Sequence, residues 1–195
     1  MRKKSIAKRD KILRAAFAVV CEKGYYETRL EDVAKVAGVA KGTVYLYFKD
    51  KPDLYLGIIR WLIGKAVAIV EEVKKEPASA PEQLRQVFHR WIDALSSQPA
   101  TIDLVFPEMR EERCEIARRF RREVLPEVHR LIKAIADVVR SGIRQAEFRR
   151  VEPRLAALSF LNAFRSAVLA NTNWLGVRTS PQRALDIFFY GINKD

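Results

Sequence analysis

An all-α fold is predicted by three features of the sequence. Apolar residues recur with a helical period of about 3.6 along the whole chain. No stretch alternates apolar and polar residues between hairpin turns, as a half-buried strand would. Several periodic segments are punctuated at their ends, by Gly24 and Gly38 after helices and by Pro52, Pro153 and Pro181 at helix starts. The 195 residues are 49% hydrophobic and 31% charged, with 8 Gly and 8 Pro. That balance supports a buried core and excludes a disordered, collagenous or low-complexity chain.

The first helix is expected over 6–23, with Ile12, Leu13, Ala16, Phe17 and Val20 on one face. Gly24 follows the last turn, where a residue without a Cβ takes a left-handed conformation at no steric cost. Thr28-Arg29-Leu30-Glu31 has the spacing of a capping box and opens a short helix to Val36, ended by Gly38. A third short helix runs from 40 to 48. Pro52, tolerated in a first turn, starts a fourth over 51–75, about 37 Å long at 1.5 Å per residue and able to link two domains. Further helices are expected over 81–97, 100–108, 110–144 with a kink or break at Pro126, 153–173 and 181–193. The last two carry the most apolar residues of the set.

Charge divides the chain unequally. Of 36 Lys+Arg and 24 Asp+Glu, for a net charge of +12, residues 1–52 hold 13 basic and 6 acidic ones. An excess gathered in one small segment suits a polyanionic partner such as nucleic acid. Basic residues 2–11 are expected to reach phosphates or the minor groove, and the cluster Arg118, Arg119, Arg121 and Arg122 to be a solvated helix face.

Two short helices joined at Gly38, inside this basic segment, have the form of a helix-turn-helix. Ala34 is small where the helices cross, and Val33, Val39 and Val44 tie them to the first helix. In the second, Val44 and Phe48 point inward, and Lys41, Thr43, Tyr45 and Tyr47 include the outward positions. Lys41 has the chemistry to donate to guanine O6/N7, and Thr43 to meet a base edge or a phosphate. Gly42 permits close backbone approach. Lys51 reaches a phosphate beside the positive end of the fourth helix.

These residues also carry a resemblance. Ile12-Leu13-Arg14-Ala15-Ala16-Phe17, Gly24-Tyr25, and the run from Val33 through Gly38, Lys41-Gly42-Thr43-Val44-Tyr45-Leu46-Tyr47-Phe48 to Lys51 resemble the DNA-binding domain of the TetR family of bacterial repressors. The resemblance implies an all-α homodimer with a DNA-binding domain at 1–52, a linking helix over about 51–75, and an effector-binding and dimerisation domain at 53–195. It places DNA contacts on Lys41, Gly42, Thr43, Tyr45 and Tyr47, with a phosphate contact on Lys51. The chain departs from the family at Ala40, where many members have a capping Ser, and at Arg29, where Ser or Thr is common. Thr28 is left as the available cap, and Arg29 as a further phosphate contact.

The resemblance also implies an effector cavity between the fifth and eighth helices. Phe88, Trp91, Val105, Phe106, Met109 and Phe120 are its expected lining, with Asn162 or Arg165 as a polar anchor. Such a lining fits a hydrophobic or amphipathic small molecule, a fatty-acyl compound, a drug or an aromatic. Leu158, Leu161, Leu185, Phe188, Phe189 and Ile192 would leave an apolar patch on a lone subunit, so the last two helices are expected to form a two-fold dimer interface. Two recognition helices would then lie roughly 34–36 Å apart and read a palindromic operator in double-stranded DNA.

No catalytic set is present. His89 and His129 belong to no zinc-type motif, and neither a phosphate-binding glycine loop nor a nucleophile elbow occurs. No metal or other cofactor is expected. Cys21 and Cys114 read as small buried residues of a reducing compartment, and the N-terminus has no signal-peptide pattern, so a cytoplasmic address is expected. The apolar stretch 155–177 contains several Ser and Asn and is expected to be buried rather than to enter a membrane. The expected function is therefore a ligand-responsive, sequence-specific DNA-binding regulator, a repressor. The alternative is a helical basic protein that binds DNA or a membrane surface without sequence choice.

Overall fold

The computed structural model describes residues 2–95, 115–171 and 180–192. Among these residues every regular element is a helix: α1 (Arg2–Glu27), α2 (Leu30–Ala37), α3 (Lys41–Tyr47), α4 (Lys51–Val73), α5 (Ala80–Leu95), α6 (Glu115–Glu123), α7 (Leu125–Arg144), α8 (Pro153–Asn171) and α9 (Pro181–Ile192). The expected helix over 100–108 lies outside the described residues. Pro126 separates α6 from α7, as its missing N–H requires, and sits in the first turn of α7, where that loss is harmless.

The chain forms two compact units. One combines residues 1–62 with 103–126, the other 63–102 with 127–195. The division falls inside α4 and at the start of α7.

In the first unit, Ile12, Leu13, Ala16, Phe17 and Val20 of α1 form a core with Val33 and Ala34 of α2, Val44 of α3, Phe48, and Leu54 and Ile58 of α4. Ala34 and Val44 are buried at 4% and 0% exposure, as a close helix crossing demands. The basic segment 2–11 is not a tail but the first turns of α1. Arg9 lies over the Phe48 ring, 5.3 Å from its centroid. Burial and then the neighbouring Arg60 charge hold its guanidinium below the ordinary arginine value.

Gly24 interrupts α1 with φ 78° and ψ 167°, a conformation open to glycine and costly for other residues. Thr28 does not cap α2. Its buried hydroxyl donates instead to the Gly24 carbonyl at 2.7 Å and closes the kink. The residue at the N-cap of α2 is Arg29, which makes no side-chain capping bond. The capping box read from the sequence is thus displaced by a stronger local demand, the carbonyl freed at the kink.

The arginine cluster also differs from expectation. Arg118, Arg121 and Arg122 are exposed, but Arg119 is only 4% exposed. Its guanidinium donates to both oxygens of Asp50 at 3.2 and 3.3 Å, to Asp53 Oδ1 at 3.2 Å and to Glu123 Oε1 at 3.4 Å. Asp50 and Asp53 already form a reciprocal cap at the start of α4. The Asp53 amide donates to Asp50 Oδ1 at 2.6 Å, and the Lys49 amide to Asp53 Oδ2 at 3.1 Å. Arg119 therefore grips the turn that leaves α3.

The second unit is built on Val67, Val70 and Val73 of α4, Leu84, Val87, Phe88 and Trp91 of α5, Leu131, Ile135 and Val138 of α7, and Phe160, Leu185 and Phe188 of α8 and α9. The helices α8 and α9 lie against each other, and both touch α5. No helix of the described residues is long and apolar enough to cross a membrane. Nor do those residues gather three or more His, Cys, Asp or Glu in a group able to hold a metal ion.

Candidate nucleic-acid interface

The turn between α2 and α3 is set by Gly38, with φ 58° and ψ 46°. Its amide donates to the Lys35 carbonyl at 3.1 Å, and the Val39 amide to the Ala34 carbonyl at 3.0 Å, which closes the end of α2. Ala40 then opens α3 without a side-chain cap, as its methyl group dictates. Seven residues of α3 follow, with Val44 as the one fully buried side chain among them. Successive residues advance by about 100° around a helix, so Gly42 and Leu46 lie opposite Val44. Lys41 and Tyr45 occupy one flank, Thr43 and Tyr47 the other.

The surface follows that geometry. Lys41, Gly42, Tyr45 and Leu46 are exposed, and Thr43 and Tyr47 half-buried. A Cβ added at Gly42 would meet no atom within 4 Å, so nothing inside the protein requires a glycine there. The space it leaves faces outward. Tyr45 is 45% exposed and joins the outer face rather than the core. Tyr47 is anchored instead, its hydroxyl sharing a 3.3 Å hydrogen bond with Ser5 Oγ.

Leu46 was missing from the residues expected at this surface. It is 84% exposed, a large apolar side chain on the outermost line of α3. Its place opposite Val44 was the available signal, hidden because an apolar residue reads as core by default.

Two lysines are already engaged. Lys41 Nζ lies 2.5 Å from Glu31 Oε1 and 5.8 Å from the centroid of the Tyr45 ring. The hydrogen bond from Lys41 is the main cause holding the Glu31 carboxyl below its ordinary value, and the same bond raises the Lys41 ammonium. Lys51 donates to the Tyr26 carbonyl at 2.6 Å, with its ammonium 4.7 Å from the Tyr25 ring centroid. Arg29 is exposed.

The described residues expected to hold an effector belong to both units. Phe88 and Trp91 are buried in the second unit in a ring cluster with Phe160 and Phe164, at centroid distances of 5.2 to 6.0 Å. Phe120 is half-buried in the first unit, whereas Val105, Phe106 and Met109 lie outside the described residues. Asn162 and Arg165 are exposed on α8. Asn162 lines an open groove of 580 Å³ between α8 and α9, with Glu152, Ser159, Ser166 and Phe188.

Of the residues expected at a dimer interface, Leu158 is exposed and Leu161 half-buried, while Leu185, Phe188 and Phe189 turn into the unit's own core. The side chain of Ile192 lies outside the described residues. The outward apolar face of α8 and α9 is made by Leu155, Leu158, Ile187 and Tyr190. Phe188 and Phe189, which lie between Ile187 and Tyr190 on α9, took the inward positions, which spacing alone left undecided.

Comparison with known proteins gives this arrangement its relatives. Residues 12–58 match the family model of bacterial regulatory proteins, tetR family. The "Fatty acid metabolism regulator protein" of Bacillus subtilis is 29% identical over 165 residues, covering 84% of this chain and 81% of that protein. Among solved structures, the transcriptional regulator FadR from Bacillus subtilis in complex with stearoyl-CoA superposes with a TM-score of 0.73 at 25% identity. It covers 94% of this chain and 98% of that one. The fatty acid degradation regulator FadR from Bacillus halodurans shares the fold, with a TM-score of 0.73 at 22% identity over 94% of this chain and 93% of that one.

Proposed function

This chain belongs to the TetR family of bacterial transcriptional regulators, as a DNA-binding, ligand-responsive member, and we propose that it is a repressor that leaves its operator on binding a long-chain acyl thioester. One observation carries the DNA-binding half of this reading. The short helix α3, directly after a glycine-set turn, exposes Gly42 and Leu46 opposite its single buried residue and Lys41 and Tyr45 on the adjoining flank. Lys41 supplies a donor for a base edge, Leu46 an apolar contact for a thymine methyl, and Gly42 the room for both to enter a major groove. Arg29 and Lys51 border the helix as phosphate contacts, and Thr43 and Tyr47 flank it.

The proposed effector rests on the kinship with a regulator solved with stearoyl-CoA and on the aromatic character of α5 and α8. The apolar face of Leu155, Leu158, Ile187 and Tyr190 is proposed to pair with the same face of a second copy. A two-fold pair of α3 helices would require a palindromic site. Residues 1–52 are proposed as the DNA-binding domain and 53–195 as the effector and dimer domain, joined through α4. A ligand with greater affinity for a dimer of altered α3 spacing would draw the population off the operator.

The decisive experiment selects bound duplexes from a random pool with the full chain, then titrates stearoyl-CoA into the enriched complex and follows release by fluorescence anisotropy. Enrichment of a palindrome and its release by the thioester are expected. A pool without a preferred sequence would favour unspecific basic binding, and a complex indifferent to acyl thioesters of every chain length would overturn the effector.

A further inference from the structure

The surface that meets DNA in this reading carries a negative charge. Glu31, in the first turn of α2, lies 2.5 Å from the Lys41 ammonium at the start of α3, and both side chains are exposed. Its neighbour Asp32 turns aside to Lys23 at 3.1 Å. A carboxylate here repels phosphates and occupies one proton of the lysine best placed to enter the groove. An exposed ion pair contributes little to stability, so folding does not account for it.

The pair has a chemical complement. In the major groove, a G·C base pair presents the guanine acceptors N7 and O6 next to the cytosine N4 donor. A lysine ammonium has three protons. With one on Glu31, two remain for N7 and O6, and the Glu31 carboxylate, which also accepts from its own backbone amide, keeps lone pairs for cytosine N4. The Tyr45 ring, 5.8 Å from the ammonium, restricts the lysine on a further side. Donor and acceptor are thereby held side by side, in the order that one orientation of the base pair demands.

We propose that Glu31 and Lys41 act as one specificity-determining unit that reads a G·C base pair in each half-site and that Glu31 penalises every site lacking it. This rests on α3 being the recognition helix. Glu31 does two opposite things: on random DNA it weakens binding, and on the matching pair it adds a hydrogen bond. A lysine alone would bind phosphate on any sequence, so the carboxylate trades affinity for choice.

The test compares the wild type, Glu31→Gln and Lys41→Ala, all full length, on three duplexes. These are the selected operator, the same operator with the G·C pair that Lys41→Ala no longer distinguishes changed to A·T, and a random sequence. Affinities are measured over a range of salt. Glu31→Gln should bind the random duplex about 3- to 10-fold more tightly at low salt, with a salt dependence steeper by about one phosphate contact as Lys41 is released. Its preference for G·C over A·T at that pair should fall about 10-fold or more. Unchanged melting would show that the fold is intact.

Equal tightening on all three duplexes would overturn the proposal and leave Glu31 as an ordinary surface charge. No change on any of them would place Glu31 away from the DNA and overturn it equally. A wild type with no preferred sequence would remove the recognition helix itself and this inference with it, so the two failures are distinguished by the wild-type selection alone.

Discussion

Replacing Arg119 with methionine should loosen the exit of the recognition helix. The guanidinium is 4% exposed and makes four hydrogen bonds to Asp50, Asp53 and Glu123. Methionine fills a similar volume and leaves three carboxylates without their shared cation. Removing one partner of a fully buried ion pair costs about 3–5 kcal/mol. The Asp50 carboxylate is 42% exposed, and Arg60 and Arg122 still face Glu123 at 3.6 and 2.9 Å. Water and these arginines recover part of the loss, so the expected cost is about 2–3 kcal/mol. For a chain of this length that lowers the melting temperature by roughly 4–12 °C. Thermal unfolding followed by circular dichroism reads the shift, and Arg119→Lys should fall between the two because a point charge cannot bridge three carboxylates. Operator affinity should fall even where the variant is fully folded, since Asp50 and Asp53 cap α4 immediately after α3. A variant melting within about 1 °C of the wild type, a margin far below the expected shift, would show that the cluster holds nothing in place.

Two further outcomes follow from the same unit. A methyl group at Gly57 would stand 2.8 Å from Phe48 Cε1 and 3.3 Å from Leu13 Cδ2, and Phe48 is fully buried. Gly57→Ala should therefore destabilise by roughly 1–2 kcal/mol, overpacking outweighing the helix propensity gained, and a variant more stable than the wild type would refute that packing. The Arg122 hydrogen bond, followed by the Arg119 and Arg60 charges, outweighs burial and holds the Glu123 carboxyl below the usual glutamate value. A depressed folded-state pKa gives stability that is complete above the unfolded value of about 4.3 and is lost as pH falls through the folded one. Glu123→Gln should thus melt lower than the wild type at neutral pH but decline less between about pH 5 and pH 3, and parallel melting curves over that range would exclude the linkage.

The helices were legible because their signals are local. Periodicity placed α1, α4, α5, α8 and α9 near their observed bounds, and Gly38 and Pro126 marked a turn and a break through the backbone angles and donors they alone alter. The helix-turn-helix was legible for the same reason: a small residue at Ala34, a glycine at 38 and an inward Val44 satisfy one geometry together. The candidate reading surface was only partly so. Lys41, Gly42 and Tyr45 are exposed in line with the sequence reading, but Leu46 was hidden by its hydrophobicity and Glu31 by its position on a different helix.

By itself, then, the sequence determined the all-α class, the basic N-terminal helix-turn-helix and the recognition-helix segment, since these depend on neighbours within a few residues. Tertiary structure alone decided which of several chemically equivalent side chains are used. It buried Arg119 and left Arg118 and Arg121 exposed, moved Thr28 from a cap to a kink, turned Leu185, Phe188 and Phe189 inward, and joined Glu31 to Lys41. Those choices depend on what lies across a packed interface. Arg119 meets Asp50 across a separation of 69 positions in the sequence, and a distance of that kind leaves no periodic trace in either segment.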